Sequence, residues 1–155
     1  MILGSLLYCK NDEFKIIMSP NLKEEKNLKL DINTSTKEEM LRRGIAISYV
    51  NKIIEYREIT GGFLSTEELT RISGIGEKTK NKLEKNFTIG TLPTLKKMNI
   101  NTSDIKDFIY YGFTKKEIQN IVKYKRDHRR IKSNIELKDI LSKDRYQKYK
   151  NLINY

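Results

Sequence analysis

The sequence predicts an all-α protein made of two tandem helical units of four to five helices each. Lys, Glu, Ile, Leu and Asn dominate a chain that has two Pro and no Trp, and this composition favours helices. Apolar residues recur at helical spacing between glycine-containing breaks. The same arrangement then occurs a second time. With 155 residues, of which 37% are hydrophobic and 33% charged, the chain suits small helical cores.

The second observation is an internal repeat. A shift of 68 residues aligns residues 31–72 with residues 99–140 without a gap. The segment INTS recurs whole, and Gly44 and Tyr56 match Gly112 and Tyr124. A register kept over this length indicates a duplication. It predicts an N-terminal extension, a first unit, a linker and a second unit at residues 1–30, 31–87, 88–98 and 99–155.

Each repeat is predicted to open with a capped helix. The Asn-Thr-Ser segment is expected to supply the N-cap. Acidic residues follow in the first turn, where the helix dipole favours them; these are Glu38 and Glu39 in the first repeat and Asp107 in the second. The glycines that are expected to end these helices are Gly44 and Gly112.

The second helix is expected at about residues 47–59 and 115–129. Apolar residues at i, i+3 and i+4 give each copy one buried face, and they are Val50, Ile53 and Ile54 in the first copy and Ile118, Ile121 and Val122 in the second.

A turn and two further helices complete each repeat. Gly61-Gly62-Phe63 predicts the turn of the first copy. Ser65 and Ser133 are expected to cap third helices that carry Leu69 and Ile72, or Leu137 and Ile140. Fourth helices are expected around residues 77–87 and 144–154. Within the N-terminal extension, YCKNDEFKIIM predicts a short β-hairpin that turns at Lys10 to Glu13, and PNLKEEKNLK a polar tether.

The segment RISGIGEKTKNKL places two glycines between two helices. Gly74 and Gly76 can both adopt positive φ in a tight hairpin, with Ile75 pointing inward. A helix that begins directly after this turn exposes unpaired backbone N–H groups at its positive end, where a phosphate can approach. The side chains expected to assist on the next turn are Lys78, Thr79, Lys80 and Lys82.

The net charge of +11 is concentrated in the last third of the chain. Residues 91–155 carry sixteen Lys and Arg against seven acids, whereas residues 31–90 carry ten against nine. Within that third lies the basic segment, residues 123–132, whose cations are Lys123, Lys125, Arg126, Arg129, Arg130 and Lys132. It reads as a phosphate-contacting stripe that extends the footprint of the first repeat, or as a solvated helix end that complements the helix dipole.

Other chemistry is not indicated. The single Cys9 excludes an intramolecular disulfide, and the single His128 argues against a histidine metal site. No run reaches the roughly 18 apolar residues of a membrane span. No nucleophile with its base and no catalytic carboxylate pair is apparent, so we expect neither an enzyme nor a cofactor. The tyrosines of the second repeat are expected in its core: Tyr110, Tyr111, Tyr146, Tyr149 and Tyr155.

The combination INTS, IIEYRE, GGF, EEL and ISGIGEK resembles the tandem helix-hairpin-helix domain of the ComEA family of bacterial competence DNA receptors. The likeness is close over residues 31–87 and looser over 99–155. It implies units of about the size of SAM domains, sequence-independent binding of duplex DNA through the hairpins, and no small-molecule substrate. It also implies an extracytoplasmic or membrane-associated location, with a cytoplasmic one left open, and other DNA-uptake proteins as partners.

Matching positions carry the expected site. The resemblance marks the second hairpin, Gly74-Ile75-Gly76 with Lys78, most strongly. The first hairpin, Gly44-Ile45-Ala46, follows, but the family usually has Gly in place of Ala46, so we expect strain and weaker phosphate binding there. The third hairpin, Gly112-Phe113-Thr114, and a fourth, Ser142-Lys143-Asp144, depart further. The alternatives are a protein-binding module that uses this fold as a scaffold and an accessory protein of DNA repair.

Overall fold

The structure, a computed structural model, describes residues 28–155. The predicted β-hairpin at Lys10 to Glu13 and most of the predicted tether lie outside this range. The all-α prediction is confirmed, since helices dominate the described residues and the strands among them are two residues long.

Each repeat has the same order of elements. The first repeat contains β1 (Leu30–Asp31), α1 (Lys37–Arg42), α2 (Ile47–Thr60), a 3₁₀ helix (Thr66–Arg71), α3 (Glu77–Leu83) and β2 (Phe87–Thr88). The second repeat contains β3 (Met98–Asn99), α4 (Ile105–Tyr110), α5 (Lys115–His128), α6 (Asn134–Ile140), α7 (Lys143–Tyr149) and β4 (Ile153–Asn154).

Two short parallel strand pairs, which the sequence does not predict, close the repeats. Leu30 pairs with Phe87, and Met98 pairs with Ile153. The fourth helices therefore end earlier than expected, because the chain leaves the helix to form a strand. The offset between the paired positions is 68 residues at the first strand and 66 at the last. The second repeat is thus two residues shorter in its C-terminal half.

The predicted helix caps are wrong for the Asn-Thr-Ser segments. The N-caps of α1 and α4 are Thr36 and Asp104, and each forms a capping box with the acid three residues later. The acids do lie in the first turns as predicted. Ser133 caps α6 through its side chain, whereas Ser65 makes no such bond at the start of the 3₁₀ helix.

The Asn of each INTS segment instead clamps a distant turn. The Asn33 amide accepts a hydrogen bond from the Phe63 backbone N–H at 2.7 Å and donates to the Phe63 carbonyl at 2.9 Å. Asn101 makes the same pair of bonds with Ile131, at 2.9 and 2.8 Å. Phe63 and Ile131 are completely buried. The clamp therefore fixes the turn that follows the long helix and seats its apolar residue in the core.

Each repeat has its own hydrophobic core. Most predicted core positions on α2 and α5 are buried or half-buried. The prediction that Val122 lies in the core is wrong, because 53% of its surface is exposed. Of the five tyrosines expected in the core, Tyr110, Tyr111 and Tyr149 are buried, and Tyr146 and Tyr155 are half-buried. Phe113 stacks on Tyr149 in the second core, with ring centroids 4.1 Å apart.

Tyr110 joins the two repeats. It belongs to α4 of the second repeat, yet its ring lies in the core of the first repeat and is only 3% exposed. Its carbonyl accepts hydrogen bonds from the Tyr56 hydroxyl and from Arg71, both at 3.2 Å. Burial and the neighbouring Glu55 carboxylate raise the pKa of Tyr110 to about 12. An ion pair of 2.7 Å between Lys106 and Glu55 lies beside it.

The segment between β2 and β3 is held against the first repeat. The Lys96 backbone N–H donates to the Thr60 carbonyl at 2.8 Å. Gly61 adopts φ +93°, and a Cβ there would lie 2.2 Å from the Thr94 carbonyl oxygen. Glycine at this position therefore allows the connecting segment to pack over the turn.

Replacing Asn33 by Ala should destabilise the protein by about 2 kcal/mol, because the buried Phe63 N–H would lose its acceptor. Urea unfolding followed by circular dichroism measures this. The control is Asn51→Ala on the exposed side of α2, which should change the free energy of unfolding by less than about 0.5 kcal/mol. Equal effects of the two substitutions would contradict a structural role for the clamp.

Candidate nucleic-acid interface

The first and second hairpins share one backbone design. Ile45 and Ile75 are buried, at 5% and 2% exposure, and hold their hairpins to the core. Gly44 and Gly74 have φ values of +77° and +85°, as expected for a left-handed turn that favours glycine.

The last residue of each hairpin has ordinary backbone geometry. Gly76 has φ −84° and ψ 177°, so the prediction that both glycines of the second hairpin take positive φ is wrong. Ala46 has φ −58° and ψ 137°, which alanine adopts without strain. The strain expected at Ala46 is therefore absent. No atom lies within 4 Å of a Cβ built on Gly76, so internal packing leaves that position open.

The helices after these two hairpins lack side-chain caps. Ala46 and Gly76 are the N-cap residues of α2 and α3, and neither makes a side-chain capping bond. In contrast, side chains cap α1, α4, α5 and α6. Uncapped helix starts leave backbone N–H groups and a partial positive charge facing outward. Both starts can therefore receive an anion.

Lys52 links α2 to the second hairpin, a contact that the sequence does not predict. This half-buried residue of α2 donates from its Nζ to the Ser73 carbonyl at 2.6 Å. Its Nζ also lies 3.4 Å from where a Cβ of Gly74 would be. The sequence signal was weak, because Lys52 is one lysine on a helix with no glycine or charge run beside it.

The cations predicted beside the second hairpin separate into two groups. Lys78 and Lys82 are exposed, and Thr79 is half-buried. Lys80 is only 7% exposed, and its Nζ forms ion pairs with Glu67 at 2.7 Å and Glu77 at 3.4 Å. The Glu67 hydrogen bond raises the pKa of Lys80. Lys80 thus fixes α3 to the 3₁₀ helix, and its predicted role as a phosphate contact is wrong.

The third hairpin is closed by the protein itself. Gly112 has φ +82°, but the Arg71 guanidinium lies 2.9 to 3.1 Å from the position of its missing Cβ. Arg145 donates to the Gly112 carbonyl at 2.7 Å. Thr114 and Glu117 form a capping box at the start of α5. The Thr114 and Glu117 N–H groups are therefore occupied by side chains of the protein, so this hairpin differs from the first two.

Glu117 is held ionised in this closed arrangement. Burial alone would raise the pKa of its carboxyl group, but hydrogen bonds from Arg145 and Thr114 lower it below the ordinary value. Its Oε1 lies 2.6 Å from the Arg145 Nε. A carboxylate fixed at the start of α5 also disfavours an incoming phosphate.

The predicted fourth hairpin at Ser142-Lys143-Asp144 is not a hairpin in the structure. Lys143 and Asp144 lie inside α7, and its N-cap is Ser142. Leu141 is buried and precedes this N-cap, as Ile75 precedes Gly76 in the first repeat. The two missing residues of the second repeat therefore fall in this hairpin, and the turn formed by Ser73 and Gly74 has no counterpart.

Of the six cations in the basic segment, five are exposed and Lys125 is half-buried. The Lys125 Nζ donates to the Asn101 carbonyl at 2.7 Å, as Arg57 of the first repeat donates to Ser35 at 2.8 Å. Lys125 therefore supports the repeat internally, and its phosphate contact stays a prediction. The remaining cations are exposed: Lys123, Arg126, Arg129, Arg130 and Lys132.

Neither a metal-binding cluster nor a membrane-spanning helix is found among the described residues. Among residues 28–155, His, Cys, Asp and Glu form no group of three or more that could hold a metal ion. None of the helices in that same range is long and apolar enough to cross a membrane.

Comparison with known proteins identifies the first repeat. Residues 25–88 match the family model described as "Helix-hairpin-helix motif". ComE operon protein 1 of Bacillus subtilis (strain 168) is 41% identical over 61 residues, which cover 39% of this chain and 30% of the relative. The chain carries a ComEA-like helix-hairpin-helix domain. The first two hairpins lie within the matched residues.

Longer relatives match more of the chain. The proteins named endonuclease/exonuclease/phosphatase family domain-containing protein 1 are 28% identical over 127 residues in Xenopus laevis and 33% identical over 124 residues in Danio rerio. Each match covers 68% of this chain but only 23% and 22% of the relative. The chain therefore spans less than a quarter of these relatives. No solved structure matches it.

Replacing Lys52 by Met should loosen the second hairpin, because the Ser73 carbonyl would lose a charged donor. We expect amide hydrogen exchange at Ile75, whose N–H donates to the Ile72 carbonyl, to accelerate about tenfold, which corresponds to about 1.4 kcal/mol of local stability. Lys78→Met removes an exposed cation from the same region and should leave this rate unchanged. Acceleration in both variants would mean that Lys52 is not a specific pin.

Proposed function

We propose that this protein binds duplex DNA without sequence preference by holding backbone phosphates at the first and second hairpins. The observations that carry this proposal are two uncapped helix starts, α2 after Ala46 and α3 after Gly76, and the hydrogen bond from Lys52 of α2 to the Ser73 carbonyl beside the second hairpin. The match of residues 25–88 to the helix-hairpin-helix model supports it.

The chemistry of this surface fits phosphate oxygens. Outward N–H groups at a helix start donate to an anion, and the helix dipole favours its charge. Gly76 carries no side chain that would keep the oxygen away, and Lys78 and Lys82 are exposed on the following turns. Phosphates carry no base identity, so binding through them is blind to sequence.

We also propose a role in DNA uptake. The resemblance to competence receptors and the similarity to ComE operon protein 1 support it. On this proposal the protein works outside the cytoplasm or at the membrane, with other DNA-uptake proteins as partners. The protein acts as a binder and not as a catalyst.

A second candidate function follows from the second repeat. Arg71, Arg145 and the Thr114 cap close its third hairpin, and its fourth lacks the glycine turn. This favours a scaffold that presents the repeat to a protein partner. The partial similarity to proteins named for an endonuclease/exonuclease/phosphatase domain favours a third role, as an accessory DNA-binding module in repair.

Gly76→Val tests the hairpin directly, because its backbone geometry suits valine and the space around it is open. We expect about tenfold weaker binding to a random-sequence duplex, and a log-log salt slope shallower by about 0.9 for each phosphate lost. Fluorescence anisotropy at three salt concentrations measures both, with the single strand as a comparison.

The matched control is Ser142→Val, which changes the corresponding uncapped N-cap in the second repeat. It should leave the affinity within about twofold, since that turn holds no phosphate in this proposal. Equal binding by Gly76→Val and the unchanged protein would remove the second hairpin from the mechanism. Absence of duplex binding by the unchanged protein at low salt would favour the scaffold function.

Ala46→Gly should strengthen duplex binding by about two- to fivefold, because it removes the Cβ from the first hairpin without altering a strained backbone. The same anisotropy titration measures the change. Thermal unfolding of the variant shows whether the fold is kept, since glycine and alanine differ at an N-cap. Weaker binding by a folded Ala46→Gly variant would show that the first hairpin contacts DNA through the alanine methyl group and not through its N–H groups.

A further inference from the structure

We propose that the basic segment of the second repeat binds a separate DNA segment, so that one chain bridges two duplexes. This inference rests on the proposed function of the first two hairpins. It replaces the expectation that the segment extends their footprint along a single duplex.

One observation is the length of helix between the third hairpin and the basic segment. Helix α5 begins at the third hairpin, where Arg71 of the first repeat packs on Gly112. The helix runs for 14 residues, about 21 Å at 1.5 Å per residue. The basic segment lies at the C-terminal end of this helix, the end opposite the third hairpin. Among residues 28–155, no hydrogen bond or ion pair joins this segment to the first repeat.

A second observation is the position of the charged side chains in the basic segment. Lys123 and Arg126 are three residues apart, which places them on one side of α5. Arg130 follows in its exit turn. Asp127 is the one acid of the segment, and it pairs with Arg126 at 3.1 Å. The other exposed cations remain available to phosphate oxygens, to which arginine can bind through two parallel N–H groups.

A third observation is the exposed turn at the end of α5. Arg129 has φ +69°, and it is the only residue other than glycine with positive φ in the part of the chain that the structure describes. The corresponding residue of the first repeat is Gly61, where the connecting segment covers the turn. In the second repeat the same turn is exposed. The chain thus keeps an arginine where glycine has the lower backbone cost, and presents it to solvent.

The variant that tests this inference combines Lys123→Gln, Arg126→Gln and Arg130→Gln. It leaves Lys125 and Arg129 in place, because the first supports Asn101 and the second sets the turn. The matched control combines Lys115→Gln, Lys116→Gln and Lys138→Gln, which removes the same charge from exposed positions elsewhere in the second repeat.

Two measurements separate the possibilities. Anisotropy with a short duplex at limiting DNA concentration reports the hairpin surface. Capture of a second, labelled duplex by protein that is already bound to a bead-immobilised duplex reports bridging. We expect the triple variant to keep its affinity for the short duplex within about twofold and to lose at least about tenfold in capture. The control should retain both activities.

Each other outcome has a defined meaning. Absence of short-duplex binding by the unchanged protein defeats the proposed function itself. Short-duplex binding without capture, or capture that persists in the triple variant, defeats the bridging inference alone. A triple variant with weaker short-duplex binding and a shallower salt slope shows that the basic segment shares one footprint with the hairpins. Loss of binding to phosphatidylglycerol vesicles with capture unchanged assigns the segment to a membrane surface.

Discussion

The burial of Tyr110 in the core of the first repeat is the constraint on which the rest of the arrangement depends. This side chain comes from α4, so its burial fixes α4 against α2 and brings the start of α5 to Arg71. Removing a tyrosine of this size from a packed core would leave a large cavity. The two repeats are therefore packed against each other. The closed third hairpin follows from this docking, because Arg71 of the first repeat packs on Gly112.

Docking makes two related halves chemically unequal. In the first repeat, Ala46 and Gly76 leave the helix starts uncapped. In the second, Thr114 supplies the hydrogen bonds that a ligand would otherwise supply, and Arg145 occupies the carbonyl of Gly112. A cap and a ligand compete for the same N–H groups. The start of α5 gains stability from its cap, whereas the starts of α2 and α3 carry no side-chain cap.

The sequence predicts the long helices and the glycine hairpins well, because both depend on local patterns. Spacing places Val50 and Ile53 correctly, and Ile75 points inward as expected. The failures concern residues whose partners are distant in the chain. From sequence position alone, Asn33 is expected to cap a helix and Lys80 to contact a phosphate, because each lies near a helix start. In the structure Asn33 bonds to Phe63, and Lys80 bonds to Glu67. Lys52 was missed for the same reason.

The change of offset from 68 to 66 residues has a consequence for how such a repeat can change. A substitution alters a side chain, but it cannot restore backbone length. The turn that Ser73 and Gly74 form in the first repeat has no residues to form it between Ile140 and Leu141. Return of a glycine hairpin there would require an insertion, an event much rarer than a point mutation. Substitutions at single positions therefore leave this difference in backbone length between the repeats in place.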